Sequence, residues 1–238
     1  MANEGTKRTA LVTGGSQGLG LALTTALVDR GWTVLTDARH ADRLASAAAH
    51  SGATGVVGDV TDPRHRERLV SEVAALGGLD LLVHNASTLG PLPMRPFVEY
   101  DDLKRVLDDV ATANAVAPLE LTLALREELG RRHGLVVAIT SDAAAEHYPS
   151  WGPYGATKAM LEHLLLTFGA ESGLTTYVVD PGDMRTDMHQ DAFPGEDISD
   201  RSTPESVLPG LLPLLEERPR PTGRYRAAEL HPATEQGS

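Results

Sequence analysis

The 238 residues of this chain are enough for one α/β core, and we expect a single domain rather than two. The 33 acidic and 21 basic side chains give a net charge of -12, which disfavours nucleic acid or an anionic membrane as a partner. The chain has no cysteine, which excludes disulfides, thiolate metal sites and a cysteine nucleophile. Neither a secretory leader nor a membrane-spanning apolar run is recognised, so we expect a soluble, cytoplasmic protein.

Short β-branched or apolar runs alternate with longer amphipathic segments along the chain. This alternation is typical of parallel strands joined by crossover helices, and it predicts a single-domain, Rossmann-type doubly wound sheet with helices on both faces. We predict seven parallel strands, at 8–13, 33–37, 54–58, 79–84, 134–140, 174–180 and 223–228. We predict helices at 18–29, 41–50, 63–76, 101–130, 152–171 and 204–217.

The predicted core covers residues 7–228 of a single domain, 1–238. The segment 181–203 is predicted to be irregular, and a loop of that length inside a compact domain is usually functional. We therefore expect residues 183–200 to form a lid over the substrate. The polar tail at 229–238 is predicted to be frayed.

A glycine-rich loop lies between the first predicted strand and the first predicted helix. It reads T-G-G-S-Q-G-L-G over residues 13–20, with the spacing G-x-x-x-G-x-G. Backbone N–H groups and the helix dipole can hold a pyrophosphate at such a position, although a plain glycine turn could look the same. The predicted dinucleotide contacts in this loop are Gly14, Ser16, Gln17, Gly18, Leu19 and Gly20.

Two later strand ends also predict cofactor contacts. Asp59, followed by Val60, comes after the third predicted strand and can accept a hydrogen bond from an adenine amino group. A turn aspartate is the alternative interpretation. Asn85 and Ala86 end the fourth predicted strand, where their backbone would line the ligand crevice, but Asn85 could equally be only a turn residue.

Tyr154 and Lys158, in the run Y-G-A-T-K, indicate proton-transfer chemistry. Residues four apart share one face of a helix, so the Lys158 ammonium is expected to lie beside the Tyr154 phenol and to lower its pKa from about 10. A tyrosine tuned in this way can act as a general acid or base. Ser141, thirteen residues earlier at the end of a predicted strand, can hydrogen-bond a substrate oxygen. Taken alone, the Tyr-Lys spacing is also typical of a surface helix pair.

With these motifs the chain resembles the short-chain dehydrogenase/reductase family over about residues 7–228. The family's glycines fall on Gly14, Gly18 and Gly20, its catalytic tetrad on Asn114, Ser141, Tyr154 and Lys158, and its P-G-x-x-x-T segment on Pro181, Gly182 and Thr186. Two departures are visible. The usual N-N-A-G reads H-N-A-S, with His84 and Ser87 substituted, and the family's final glycine pair is not recognised.

The resemblance implies hydride transfer with a nicotinamide cofactor. It implies that Lys158 binds the cofactor ribose, that Asn114 holds a relay water, and that the P-G-x-x-x-T segment brackets the nicotinamide carboxamide. It also implies a homodimer or homotetramer formed through the predicted helices 101–130 and 152–171.

The residues after the second strand bear on the choice of cofactor. Ala38 lies where relatives that prefer NAD carry an acid, and the adjacent Arg39 can hold a 2′-phosphate. Asp37 would favour NAD if it reached the ribose, but its register directs it to the opposite face of the sheet. The pattern favours NADPH/NADP+ over NADH/NAD+.

The sequence identifies the substrate-binding residues less clearly than the cofactor-binding ones. Apolar and aromatic residues predicted to line it are Leu89, His147, Trp151, Met184, Met188 and Phe193, together with Tyr148. Each could instead pack in the core or at a dimer contact. The nine histidines show no metal-binding spacing, so no metal site is expected.

These motifs favour an NADP(H)-preferring ketoreductase or secondary alcohol dehydrogenase that acts on a small carbonyl or alcohol compound. One alternative is a non-redox enzyme on the same scaffold, such as a dehydratase, epimerase or cyclase. Another is a protein that senses the dinucleotide.

Overall fold

The computed structural model describes residues 7–230, and its seven strands form one parallel sheet in the order β3-β2-β1-β4-β5-β6-β7. The strands are β1 Thr9–Val12, β2 Thr33–Ala38, β3 Thr54–Val57, β4 Leu81–His84, β5 Leu135–Ile139, β6 Thr176–Asp180 and β7 Gly223–Arg226. Strands β1, β4, β5 and β6 are buried along their whole length, as expected where helices cover both faces of a parallel sheet. The predicted Rossmann-type sheet is confirmed.

Nine α-helices connect and flank these strands within the described range, 7–230. They are α1 Gly18–Asp29, α2 Ala41–Ser51, α3 Pro63–Ala75, α4 Leu103–Ala111, α5 Ala117–Ala124, α6 Arg126–Arg132, α7 Gly152–Ser172, α8 Asp187–Ala192 and α9 Leu208–Glu217. The start of α3 shows how local sequence sets a boundary. Asp62 accepts a hydrogen bond from the Arg64 backbone N–H, and Pro63 occupies the first turn, where its missing N–H costs nothing.

The helices form a layer on each face of the sheet. Helices α1 and α9 bury residues such as Leu23 and Leu211 on one face. Helices α3, α5 and α7 bury Leu69, Leu121 and Phe168 on the other. The strand order reverses between β1 and β4, which leaves a crevice at their carboxyl ends. In the described part of the chain, no helix is both long and apolar enough to cross a membrane.

The predicted helix 101–130 is wrong as one continuous element, because the structure divides it into α4, α5 and α6. A π turn at Thr112–Val116 separates α4 from α5. Pro118 has no N–H to pair with the carbonyl of Asn114 four residues earlier, so regular α-helical pairing is interrupted there. A second break follows at Leu125. The π turn places Asn114 in the interior, where only 1% of it is exposed.

The segment 181–203 is not wholly irregular, contrary to the prediction. It contains α8, and Thr186 caps that helix by accepting a hydrogen bond from the His189 backbone N–H at 3.2 Å. A bridge between Met184 and Ser202 closes the base of the segment. The candidate lid, residues 183–200, is therefore a short helix with a flanking segment on each side, and the bridge joins these two segments at their base.

Two predicted boundaries near the end of the chain also change. The helix predicted at 204–217 begins as a 3-10 turn, Pro204–Val207, before α9. The predicted frayed tail begins too early, because a 3-10 turn, Ala227–Glu229, follows β7 and Leu230 is buried beside Gly210 of α9. The rest of that tail, 231–238, lies outside the described residues.

Candidate active site

A cavity of about 1260 Å³ opens where β1, β2, β4, β5 and β6 reach their carboxyl ends. This is the crevice in which doubly wound sheets bind ligands, and the volume is larger than one small molecule needs. The predicted site residues that line it are Gly14, Ser16, Gln17, Gly18, Leu19, Arg39, Asp59, Val60, Asn85, Ala86, Leu89, Ser141, Trp151, Tyr154, Lys158, Pro181, Gly182, Met184, Thr186, Met188 and Phe193. Gly20, Asn114 and His147 are described by the structure but are not part of this lining.

The glycine loop is held tightly against the end of β4. Gly14 has a φ of +69°, and a Cβ there would lie 2.9 Å from Ala86 Cα, so a larger residue would be both strained and crowded. Asn85 Nδ2 donates hydrogen bonds to the Thr13 and Gly14 carbonyls at 3.0 and 3.1 Å. Gly20 lies behind the loop, where a Cβ would come within 2.4 Å of Asn85 Nδ2. Asn85 therefore fixes the loop in addition to forming part of the crevice.

The loop leads into the N-terminus of α1, which can accept an anion. In the described part of the chain no side chain caps this end, since Gln17 makes no capping hydrogen bond. The first N–H groups of a helix have no partner within it, and the helix dipole adds positive potential there. Together with the size of the cavity, this arrangement fits the pyrophosphate of a dinucleotide.

Asp37, at the end of β2, is fully engaged inside the protein. Its Oδ1 accepts a hydrogen bond from the Gly14 backbone N–H at 2.9 Å, and its Oδ2 lies 2.8 Å from Nε2 of the buried His65 on α3. This position agrees with the predicted register, which directs Asp37 away from the face of Ala38. Asp37 also borders the cavity, but both of its oxygens are engaged, with Gly14 and His65, which leaves them less available to a ribose.

Two arginines line the opposite end of the cavity from Ser141. Arg39 follows β2, as predicted. Arg43, on the first turn of α2, was not predicted, although its spacing of four from Arg39 was visible in the sequence. Arg43 Nη1 donates a hydrogen bond to Gln17 Oε1 and lies 3.8 Å from Asp187 Oδ2, so it connects α2 to the glycine loop and to α8.

Asp59 forms a turn, which was the alternative interpretation of this residue beside a contact with adenine. Its Oδ1 accepts hydrogen bonds from the backbone N–H and the hydroxyl of Thr61, at 2.9 and 2.8 Å. Asp59 nevertheless lines the cavity with Val60, whose carbonyl accepts a hydrogen bond from Arg66 at 2.6 Å. The turn interaction does not prevent Asp59 from also contacting a ligand.

Three of the four predicted catalytic residues line the same cavity. Ser141 follows β5 directly, and Tyr154 and Lys158 lie on α7. Lys158 Nζ is 5.6 Å from the centroid of the Tyr154 ring and donates a hydrogen bond to the Ile139 carbonyl at 2.9 Å. The two residues therefore share a helix face, as their spacing predicts.

Asn114 lies behind these residues, and its side chain clamps α7 to the segment after β4. Its Oδ1 accepts hydrogen bonds from the Thr88 N–H at 2.8 Å and from Ser87 Oγ at 3.1 Å. Its Nδ2 donates to the Thr88 carbonyl at 2.9 Å and to Thr157 Oγ1 at 3.0 Å. Because the side chain is fully engaged, a water relay would have to use the Asn114 backbone carbonyl, which Pro118 cannot pair with.

The family model of the short chain dehydrogenases matches residues 8–197 of this sequence. The chain belongs to the short-chain dehydrogenase family. It is 32% identical over 188 residues to the serine 3-dehydrogenase of Agrobacterium fabrum, covering 75% of this chain and 73% of that protein. It is 31% identical over 201 residues to the gluconate 5-dehydrogenase of Gluconobacter oxydans, covering 80% of this chain and 77% of that protein. Both relatives are dehydrogenases, and the chain is accordingly an oxidoreductase.

Solved short-chain dehydrogenases have the same fold. One from Escherichia coli CFT073, complexed with NADPH, superposes with a TM-score of 0.84 at 28% identity, over 92% of this chain and 96% of its own. One from Shigella flexneri, complexed with NADP, has a TM-score of 0.84 at 28% identity, over 93% and 97%.

Both substitutions in the short-chain dehydrogenase N-N-A-G motif have structural consequences. Ser87 adds a hydroxyl that donates a hydrogen bond to Asn114. His84 is buried with its Nε2 2.7 Å from Thr122 Oγ1, and burial lowers the pKa of His84 to about 3. His84 is therefore a neutral interior residue rather than a ligand contact.

The Tyr154 pKa differs from the prediction. Burial raises the pKa of Tyr154 to about 12, although hydrogen bonds with Ser141 and Ser87 oppose this shift. Burial also lowers the pKa of Lys158 to about 8, with Glu162 opposing. The prediction that Lys158 brings the Tyr154 pKa below its ordinary value is wrong in this structure, because desolvation of the phenol raises the pKa and the nearby charges of Asp142 and Asp180 add to that shift.

The structure changes part of the predicted substrate wall. His147 and Tyr148 are both exposed, but only Tyr148 lines the cavity, and it donates a hydrogen bond to Asp142 Oδ2 at 2.8 Å. Asp142 was not predicted, although it follows Ser141 directly in the sequence. Among residues 7–230, no group of three or more histidine, aspartate or glutamate side chains could hold a metal ion.

Proposed function

We propose that this short-chain dehydrogenase is an NADP(H)-dependent ketoreductase, or a secondary alcohol dehydrogenase in the reverse direction. The observation that carries the proposal is the convergence of Ser141, Tyr154 and Lys158 in the same cavity as the glycine loop. When bound, the reduced nicotinamide supplies a hydride to the carbonyl carbon of the substrate.

The chain's own residues handle the proton. Tyr154 donates its hydroxyl proton to the carbonyl oxygen as the C–H bond forms, which yields the alcohol and the oxidised cofactor. Burial keeps this phenol protonated at neutral pH, which is the form that a proton donor needs. The Ser141 hydroxyl turns from Asp142 Oδ1 to donate a hydrogen bond to the same oxygen, and Lys158 holds the cofactor ribose. The Asn114 carbonyl holds the water through which the proton is replaced.

A preference for NADP(H) is supported at the end of β2. Arg39 lines the cavity beside Ala38, and Asp37, the nearby acid, is engaged with Gly14 and His65. A guanidinium can hold a 2′-phosphate with charge-assisted hydrogen bonds. The two solved relatives complexed with NADPH and NADP support the same assignment. Gly14, Ser16, Gln17, Gly18, Leu19 and Gly20 would form the pyrophosphate loop, with Pro181, Gly182 and Thr186 at the nicotinamide.

The proposed assembly is a homodimer or homotetramer. Leu123 of α5 and Met160 of α7 are exposed apolar side chains on the helices through which members of this family pair. A solution mass of one chain, measured by light scattering at micromolar concentration, would contradict this assembly.

The function is tested with a panel of ketones and purified protein. Consumption of NADPH, followed by its absorbance, is expected with at least one ketone and should require the Tyr154 hydroxyl. Tight NADPH binding without oxidation by any carbonyl compound would instead favour a non-redox reaction on this scaffold.

A further inference from the structure

Aromatic rings form one wall of the cavity beside the proposed proton donor. The centroid of the Trp151 ring is 5.6 Å from that of Tyr154 and 5.8 Å from that of Phe193. Tyr148 meets Trp151 edge to face at 6.3 Å. All four residues line the cavity. The electron-rich faces of such rings attract cations as well as apolar groups.

A carboxylate lies next to this wall and to the reacting position. Asp142 Oδ1 accepts a hydrogen bond from Ser141 Oγ at 3.0 Å, and its Oδ2 accepts one from the Tyr148 hydroxyl at 2.8 Å. A substrate oxygen held by Ser141 would therefore lie near the Asp142 carboxylate, because Ser141 Oγ contacts that carboxylate. Neither of these neighbours carries a positive charge.

The rest of the lining extends the same charge pattern. Asp109, Asp183 and Asp191 also line the cavity, with exposed side chains. Asp109 lies 3.7 Å from Arg105 and Asp183 lies 3.9 Å from Arg201, and these two arginines are outside the lining. The lining contains three lysine or arginine residues. Two of them, Arg39 and Arg43, lie after β2, at the end of the cavity where we place the adenosine of the cofactor. Lys158 is buried and directed at the Ile139 carbonyl. An anionic group on the substrate would be repelled here, whereas a cationic group would be attracted.

An independent feature of the same lining points to a polar ligand group. His189 on α8 has 10% of its side chain exposed, and its buried Nε2 has no hydrogen-bond partner among the described residues. Its ring lies 4.9 Å from Phe193. A buried nitrogen without a partner is unfavourable, and a ligand N–H or O–H group would satisfy it.

We infer that the preferred substrate carries an ammonium group on the carbon next to the carbonyl, with Asp142 and the Tyr148–Trp151 wall holding the cation. This inference rests on the proposed function. In the reaction, hydride adds to the carbonyl carbon while Tyr154 protonates the oxygen, and the cofactor is oxidised. The carbon–nitrogen bond is untouched, so a 1,2-amino alcohol is the product.

The test compares two ketones of the same shape and different charge. One is the (2-oxo-2-phenylethyl)trimethylammonium ion, and the other is its neutral isostere 3,3-dimethyl-1-phenylbutan-1-one. The quaternary nitrogen keeps its charge at every pH. For the wild type, we expect kcat/KM with NADPH to be at least about tenfold higher for the cation, since an ion pair and a cation–aromatic contact act together. The anion 3-oxo-3-phenylpropanoate should be the poorest of the three.

Asp142→Asn keeps the size of the side chain and removes its charge. Since Asp142 also contacts Ser141, the ratio between the two ketones is the readout, and it should fall to near one. Glu72→Gln, at an exposed carboxylate on α3 outside the cavity lining, is the matched control and should keep the wild-type ratio.

Three results would overturn the inference. A wild-type ratio of one or below would reject the cationic substrate while leaving the ketoreductase intact, and this measurement needs no variant. An undiminished ratio in Asp142→Asn would reject the role of Asp142. Reduction of none of the three ketones, or of any wider panel, would remove the proposed function and the inference with it.

Discussion

In the proposed function, Arg39 is the residue on which the choice of cofactor depends. It lines the cavity after β2 with no acid at position 38. Arg39→Ala should weaken NADPH binding by about 1.5–3 kcal/mol, the range for a hydrogen bond to a charged group, and leave NADH binding nearly unchanged. Titration calorimetry with both cofactors measures this difference. Arg68→Ala, on the exposed surface of α3, is the control for a change in net charge. Equal NADPH affinity in Arg39→Ala and wild type would disprove the role of Arg39.

We expect His84 to make the stability of the fold depend on pH. Its folded pKa of about 3 lies below the ordinary 6.5, so folding favours the neutral ring. Its contribution is therefore fully present above pH 6.5 and is lost as the pH falls, because the unfolded chain takes up the proton first. His84→Asn should remove this sensitivity. Between pH 7 and pH 5 the wild type should lose about 2 kcal/mol more unfolding free energy than the variant, at about 1.4 kcal/mol per pH unit below 6.5.

Urea unfolding of both proteins at the two pH values measures that difference. Parallel losses in wild type and His84→Asn would show that the buried imidazole does not control acid stability.

Some site residues could be predicted from the sequence and others could not, for a physical reason. Tyr154 and Lys158 share a face because four residues make about one helical turn, which is a local rule. The pairing of Asp37 with His65 joins residues 28 apart on different elements, and it depends on how α3 packs against the sheet. The orientations of His147 and Tyr148 depend on the same kind of packing, since the loop that carries them has no regular period.

At the scale of elements, regular periods were predicted well and local interruptions were not. Helix α1 has the predicted bounds because the glycine loop marks its start. The predicted helix 101–130 breaks into three because Pro118 and the π turn override the continuous apolar pattern. That break is what buries Asn114 behind the site.

The predicted lid corresponds to α8 and the segments on either side of it. Its Asp187 lies 3.8 Å from Arg43, while the bridge from Met184 to Ser202 anchors the base. We expect hydrogen exchange over residues 187–197 to slow at least severalfold when NADPH and a ketone product are both present, because ligand contacts suppress local opening. Exchange in α3, which does not form part of this segment, serves as the internal control. Full protection of residues 187–197 without ligands would contradict a moving lid.

For the whole molecule, sheet topology brings the chemistry together. The reversal between β1 and β4 sets the glycine loop and the Asn85 segment side by side, and β5 and β6 bring Ser141 and Pro181 to the same edge. This gathering follows from the βαβ order and was predictable. The negative charge at the substrate end of the cavity could not be predicted, because Asp142, Asp183 and Asp191 are brought together only by folding.

The central claim is that Tyr154 transfers the proton in a nicotinamide-dependent reduction. Tyr154→Phe keeps the ring packed against Trp151 and removes only the hydroxyl. NADPH should therefore still bind, with an unchanged rise in melting temperature, while single-turnover reduction of a ketone falls by about 10²–10⁴-fold, the effect of losing a general acid. Near-normal ketone reduction by Tyr154→Phe would contradict the mechanism.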